Sequence, residues 1–150
     1  MSGDFEPVPV VLVEDNINDA ELALRVVRKT VPGTATAHLE DGERAVQYID
    51  ALVAAIKGGA AAVPRLLLLD LKLPKIDGLD VLQHIRRQPE LQALPVVVLS
   101  SSREPTDVSR AFAYGANSFV VKPVQFDQYL PRIGGVVSYW MTLNEAPGAV

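Results

Sequence analysis

The chain carries a run of four leucines closed by one aspartate, Leu66-Leu67-Leu68-Leu69-Asp70. A short, continuous apolar run of this kind is typical of a strand that is buried on both faces, as in a parallel sheet. An aspartate at the carboxyl end of such a strand faces the crevice in which open α/β sheets bind their ligands. Pro74 and Gly78 then indicate a loop that leads into the next helix. The stretch therefore predicts a parallel α/β sheet with a polar site at Asp70.

Three other predicted strands also end in polar side chains. Glu14-Asp15 follows the apolar run 8–13, Ser100 follows the run 95–99, and Lys122 follows the run 117–121. Because the ligand crevice of an open α/β sheet lies outside the carboxyl ends of its strands, these groups are expected to meet Asp70 there.

Strand and helix patterns alternate along the chain, which predicts a doubly wound sheet with helices on both faces. The predicted strands cover about 8–13, 34–39, 65–70, 95–99 and 117–121, and the predicted helices about 18–30, 41–57, 77–88, 107–115 and 127–143. Asn18, Asp41 and Thr106 are the residues expected to cap the first, second and fourth helices. We expect the flavodoxin-like strand order 2-1-3-4-5.

Composition limits the class of protein. The 150 residues predict a single domain, 1–150, with a core of about 8–143 and no effector domain, since 27 residues follow Pro123. No apolar run approaches the roughly 20 residues that span a bilayer, and the amino terminus lacks a secretory signal, so a cytoplasmic protein without membrane contact is expected. A net charge of −4 argues against nucleic-acid binding. There is no cysteine for a thiolate metal site.

The chemistry of the converging groups points to phosphoryl transfer. Glu14, Asp15 and Asp70 with Lys122 have a formal charge of −2, and such crowding of carboxylates favours a divalent cation. Ligands that are all oxygen suit Mg²⁺, with Mn²⁺ as an alternative. A metal, a lysine and the Ser100 hydroxyl together can clamp the oxygens of a transferring phosphoryl group. Asp70 can then act as the nucleophile and form an aspartyl phosphate.

The same residues, in this order and spacing, resemble the receiver domain of two-component response regulators over nearly the whole chain. The matching residues are Glu14-Asp15, Asp70, Pro74, Gly78, Ser100, Gly115-Ala116, Phe119 and Lys122-Pro123. Three segments, 13–16, 73–78 and 115–124, look most like small stand-alone regulators that pair with phytochrome-type histidine kinases. The resemblance implies a flavodoxin-like (βα)₅ fold and a phosphorylated switch that is not an enzyme.

The resemblance also implies roles for individual residues. Asp70 would accept a phosphoryl group from the phosphohistidine of a sensor histidine kinase. Asp15, Asp70 and the backbone carbonyl of Lys72 would bind Mg²⁺, with Glu14 acting nearby or through water. Lys122 would pair with the phosphoryl group.

A switch is implied at the same site. Ser100 would move to hydrogen-bond a phosphoryl oxygen, and Phe119 would change rotamer with it. Pro123 would follow a cis Lys122–Pro123 bond. Two positions depart from the common pattern: Ser100 stands where threonine is also common, and Lys72 occupies a position that varies in the family.

Two other functions stay open at this point. A phosphotransferase or phosphatase of the haloacid-dehalogenase type would also use an aspartyl phosphate, but it carries a second aspartate two residues after the nucleophile, where this chain has Lys72. A purely structural flavodoxin-like adaptor would have no need of the charged site.

The final stretch of the chain is rich in aromatic and other large apolar side chains. Its members are Phe126, Tyr129, Tyr139, Trp140, Met141 and Leu143. They either cover the core from one side or form an exposed face that pairs with a second subunit. The preferred interpretation is a C₂ homodimer through the last helix.

Overall fold

The computed structural model describes residues 5–147, so the ends of the predicted domain, 1–4 and 148–150, lie outside the described residues. Five parallel strands form one sheet in the order β2-β1-β3-β4-β5, as the sequence predicts. The strands are β1 (Val10–Val13), β2 (Thr36–Leu39), β3 (Leu66–Leu69), β4 (Val96–Ser100) and β5 (Ser118–Val121). Since β1 and β3 are central and flanked on both sides, their carboxyl ends lie in the middle of one edge of the sheet.

Five α-helices connect the strands or follow them. They are α1 (Ile17–Thr30), α2 (Gly42–Lys57), α3 (Gly78–Arg86), α4 (Pro105–Ala113) and α5 (Tyr129–Ser138). Short 3₁₀ turns cover Pro89–Leu91 and Phe126–Gln128, and a π-helical turn, Tyr139–Leu143, extends α5. Within residues 5–147, none of the helices has both the length and the apolar character that crossing a bilayer requires.

The sheet is buried on both faces because successive strand residues point to opposite sides. Val11, Val13, Leu67 and Leu69 face the layer that contains α2, α3 and α4. The alternate residues of the same strands, such as Leu12 and Leu68, face the opposite layer, which contains α1 and α5. The four leucines of β3 are therefore all buried, half of them in each layer.

Two of the predicted helix starts are wrong and one is confirmed. Asp41 caps α2, since its carboxylate accepts a hydrogen bond of 2.7 Å from the Arg44 N–H. The first helix is capped by Asn16 rather than Asn18. The fourth begins at Pro105 and not after Thr106, because proline has no N–H to lose in the first turn and its fixed φ suits that position.

Arg86 links two connections, α3 to β4 and α4 to β5, at the amino edge of the sheet. Its guanidinium donates hydrogen bonds of 2.9 Å to the carbonyls of Leu91, Leu94 and Gly115 and to the side-chain oxygen of Asn117. These contacts fix the segments that enter β4 and β5. The positions of the carboxyl ends of β4 and β5 at the site are fixed accordingly.

The aromatic segment at the end of the chain divides between core and surface. Tyr129 is buried and Trp140 packs against the core layer of α1 and α5. Phe126, Tyr139 and Leu143 are exposed. Some of these residues therefore cover the core, as one interpretation expects, while others are exposed, and pairing with a second subunit stays a prediction.

Candidate functional site

The polar groups that were expected to meet at the carboxyl edge of the sheet do so. Glu14 follows β1, Asp70 follows β3, Ser100 ends β4 and Lys122 follows β5. All four are buried, with exposed fractions of 2%, 6%, 0% and 9% in that order. Charged side chains are rarely buried unless they are paired, so the site must contain its own compensation.

Lys122 supplies that compensation. Its Nζ lies 2.7 Å from Glu14 Oε1 and 3.1 Å from Asp70 Oδ2. A third carboxylate, that of Asp19 in the first turn of α1, lies 2.9 Å from the same Nζ. An ammonium has three N–H donors, so each of them meets a carboxylate oxygen.

Burial and pairing change the ionisation of the two central groups. Burial raises the pKa of the Glu14 carboxyl to about 7, although the hydrogen bond from Lys122 opposes this. The charge of Asp70 raises the pKa of Glu14 further. Burial alone would lower the pKa of Lys122, but its hydrogen bonds to Glu14 and Asp19 and the charge of Asp70 together raise it above its ordinary value.

Three of the carboxylates form a group that can hold a metal ion. Single oxygen atoms of Glu14, Asp15 and Asp70 all lie within 4.8 Å of one another, and Asp15 is exposed on the open side of the group. Two of these groups come from the end of β1 and one from the end of β3. An all-oxygen donor set of this kind matches the preference of Mg²⁺ and Mn²⁺.

The loop after β3 contacts Asp70 through its backbone. The Lys72 N–H donates a hydrogen bond of 3.3 Å to Asp70 Oδ1, while the Lys72 side chain is exposed. The two oxygens of Asp70 therefore have different partners, one the loop and the other Lys122. The role of the Lys72 carbonyl as a metal ligand stays a prediction.

The two residues of the predicted switch lie on β4, which pairs with the strand that ends at Asp70, and on β5, the next strand out. Ser100 Oγ accepts a hydrogen bond of 3.2 Å from the Ser102 N–H, so its hydroxyl is already engaged by the loop after β4. Phe119 lies on β5 opposite Val98 and is partly buried against the core. The movement of either side chain stays a prediction.

The expected cis bond before Pro123 is wrong, because every peptide bond among the described residues is trans. Trans is the lower-energy form of an X–Pro bond by about 0.5–1 kcal/mol. With the bond trans, Lys122 already reaches Glu14 and Asp70. The Lys122 N–H also donates to the Ser100 carbonyl at 2.7 Å.

Asp19 is a side chain of the site that the sequence did not predict. It is placed by the first turn of α1, where its backbone N–H donates to Asn16 Oδ1 at 2.9 Å. The one available signal was its position four residues after Asp15, in the helix that leaves the same strand end.

Comparison with known proteins agrees with this geometry. The family described as "Response regulator receiver domain" matches residues 10–133. The chain is 36% identical to the probable methanogenesis regulatory protein FilR2 of Methanothrix harundinacea (strain 6Ac) over 98% of this chain and 95% of that one. It is 32% identical to the response regulator Rcp1 of Synechocystis sp. over 99% of this chain and all of that one.

Two solved structures extend the likeness to three dimensions. The Mn²⁺-bound form of Rcp1 superposes with a TM-score of 0.80 at 30% identity, covering 95% of this chain and all of that one. The bacteriophytochrome response regulator AtBRR superposes with a TM-score of 0.67 at 40% identity, covering 94% and 100%. The family match across most of the chain, and relatives of this identity along nearly its full length, establish that the chain belongs to the response regulator receiver domain family.

Proposed function

We propose that the chain accepts a phosphoryl group on Asp70 from the phosphohistidine of a sensor histidine kinase and signals through a changed protein-interaction surface. The observation that carries this proposal is the buried Asp70 carboxylate, 3.1 Å from the Lys122 ammonium and inside the carboxylate group at the sheet edge. Relatives that are response regulators support the same function.

The transfer step follows from the contacts of Asp70. A lone pair on a carboxylate oxygen of Asp70 attacks phosphorus, and the bond between phosphorus and the kinase's imidazole nitrogen breaks. The bonding electron pair stays on that nitrogen, and the product is an acyl phosphate. Among the described residues, each oxygen of Asp70 accepts one hydrogen bond, from the Lys72 N–H or from Lys122, so lone pairs remain for the attack. Lys122 then donates to a phosphoryl oxygen.

Glu14, Asp15 and Asp70 would hold the divalent cation, Mg²⁺ or in its place Mn²⁺, with the Lys72 carbonyl as a further ligand. The fit rests on the close carboxylate oxygens of this chain and on the Mn²⁺-bound form of the related Rcp1. When bound, the cation neutralises the charge on the oxygens of the transferring group.

The decisive experiment is incubation with acetyl phosphate and Mg²⁺, read by intact mass. The wild type should gain one phosphate, and Asp70→Asn should gain none. Asp77→Asn is the matched control, because Asp77 is exposed on the same loop and its side chain makes no capping hydrogen bond. Modification of Asp70→Asn at the wild-type rate would show that another residue is the acceptor.

The partner kinase is proposed to be of the phytochrome type, since the related AtBRR is a bacteriophytochrome response regulator. Transfer from a phosphorylated phytochrome kinase should then be faster than transfer from a histidine kinase of another class. Equal rates would remove this assignment and leave the phosphoacceptor function intact. We propose no nucleic-acid partner, in keeping with the net charge of −4.

The chain is further proposed to form a homodimer through its last helical segment. Tyr139 and Leu143 are exposed there, at 47% and 72%, and large apolar side chains are enriched in interfaces. Tyr139→Ser with Leu143→Gln should favour the monomer in light scattering without loss of folding. Phe126→Ser is the control, since Phe126 is also exposed but precedes α5. A dimer unaltered by the double substitution would exclude this interface.

A further inference from the structure

Asp19 differs from the other two partners of Lys122. Glu14 and Asp70 stand at strand ends and are buried, whereas Asp19 belongs to a helix and its side chain is 31% exposed. The bond of 2.9 Å between Asp19 Oδ2 and Lys122 Nζ therefore joins the site to α1. None of the chemistry assigned to Asp70 needs this bond.

The second oxygen of Asp19 continues the connection. Tyr129, the first residue of α5, donates its hydroxyl to Asp19 Oδ1 at 3.4 Å, which is long for an O–H···O hydrogen bond. The Tyr129 ring is buried in the layer where α1 packs against α5. Its hydroxyl is thus connected to Asp70 by three successive hydrogen bonds, Tyr129 to Asp19, Lys122 to Asp19 and Lys122 to Asp70.

We propose that Asp19 is a positioning residue that holds Lys122 in the unphosphorylated site and transmits phosphorylation to the first turn of α5 through Tyr129. This inference rests on the proposed phosphorylation of Asp70. A phosphoryl group adds about −1.5 to −2 of charge, so it draws the Lys122 ammonium toward its own oxygens. The ion pair between Asp19 and Lys122 then weakens, and the Asp19 carboxylate becomes a stronger hydrogen-bond acceptor for Tyr129. The long bond shortens, and the start of α5 moves with it.

The test uses protein labelled with ¹³C at the ring carbon that bears the tyrosine hydroxyl. The chain has four tyrosines, so four NMR signals are expected, and Tyr129→Phe identifies the one that belongs to Tyr129. Beryllium fluoride with Mg²⁺ serves as the stand-in for the phosphoryl group. In the wild type the Tyr129 signal should shift when beryllium fluoride saturates Asp70. Asp19→Asn should lose most of that shift.

A second measurement keeps the test independent of how Asp19→Asn folds. Hydrogen exchange of the α5 amides should change on saturation in the wild type and not in Tyr129→Phe. Tyr48→Phe is the matched control, because the buried Tyr48 hydroxyl has no hydrogen-bond partner within residues 5–147, so its removal breaks no hydrogen bond described there. That variant should respond as the wild type does.

The possible results distinguish failure of the role of Asp19 from failure of the proposed phosphorylation of Asp70. A wild type that takes no phosphate from acetyl phosphate refutes the proposed function. A phosphorylated wild type whose Tyr129 signal is stationary, or a Tyr129→Phe variant whose α5 responds fully, refutes only the role of Asp19.

Discussion

Gly78 controls the position of Asp70 through backbone contact, and Gly78→Ala should disturb both stability and phosphorylation. A Cβ at this position would lie 2.3 Å from the Asp70 carbonyl oxygen and 2.6 Å from Leu71 Cα. Ordinary contact begins near 3.4 Å, so the loop or α3 must retreat by about 1 Å. The Gly78 N–H also donates to the Leu71 carbonyl at 2.9 Å, and that bond would lengthen.

The magnitude follows from two opposing effects. Overpacking against backbone costs about 1–3 kcal/mol. Alanine in place of glycine gains up to about 1 kcal/mol in a helix, and less at a first residue such as this one. The free energy of unfolding should therefore fall by about 1–2 kcal/mol. A displacement of about 1 Å near reacting atoms can cost about 10²-fold in rate, so phosphorylation should slow by one to two orders of magnitude.

Urea denaturation and intact-mass time courses with acetyl phosphate measure the two effects. Gly135→Ala is the control, since Gly135 lies in α5 and, beyond its own helical turn, no described residue comes within 4 Å of the added carbon. It should raise stability by about 0.5–1 kcal/mol and leave phosphorylation unchanged. If Gly78→Ala matches the wild type in both measurements, the contact between Gly78 and the Asp70 backbone does not position the acceptor.

Three other predictions concern the metal and the switch. Asp15→Asn should weaken Mg²⁺ binding about tenfold or more in calorimetry, because a charge-assisted contact contributes about 1.5–3 kcal/mol, and an unchanged affinity would remove Asp15 from the ligand set. Because burial raises the pKa of Glu14 to about 7, Mg²⁺ must displace a proton below that pH. Its affinity should thus rise about tenfold per pH unit from pH 5 to 7 and level off above, whereas a flat profile would contradict this coupling. Ser100→Ala should still be phosphorylated at Asp70, but NMR shifts around Phe119 should respond weakly, and a full response would exclude Ser100 as the relay.

The convergence of Glu14, Asp70, Ser100 and Lys122 was predictable because strand ends carry positional information. Each residue follows an apolar run in sequence, and the parallel arrangement brings the run ends to one edge. Burial on both faces made the runs continuous and easy to find. What the residues do chemically does not follow from their position alone, and their roles stay predictions.

Asp19 was not predictable for a related reason. A helix presents a different side chain to the sheet every 100° of rotation, so a one-residue error in its start changes which residue faces the site. The sequence predicted a start at Asn18, whereas Asn16 is the cap. Only the packing of α1 against α5 settles the rotation that brings Asp19 to Lys122.

The aromatic segment shows the same limit. Composition predicted a cluster in the last helix but could not separate its buried members from its exposed ones. Tyr129 lies on the face toward the core and Tyr139 does not, because the two residues are ten apart and helical phase divides them. The π-helical turn after Ser138 shifts that phase again.

The free energy that the proposed switch requires indicates that more than one side chain transmits phosphorylation of Asp70 to the rest of the protein. Inverting a two-state equilibrium from 1:99 to 99:1 needs roughly 5.5 kcal/mol. Ser100 Oγ accepts from the Ser102 N–H and can still donate its own O–H, and a charge-assisted bond to a phosphoryl oxygen would contribute about 1.5–3 kcal/mol. The gain from Ser100 is therefore at most about 3 kcal/mol, short of the roughly 5.5 kcal/mol that an inversion requires. Lys122 is the other group whose partners would change under the proposed mechanism, and its bond to Asp19 connects it to Tyr129 and α5. An incomplete response to Ser100→Ala is consequently expected to be accompanied by a residual change in α5, which the Phe119 relay alone would not produce.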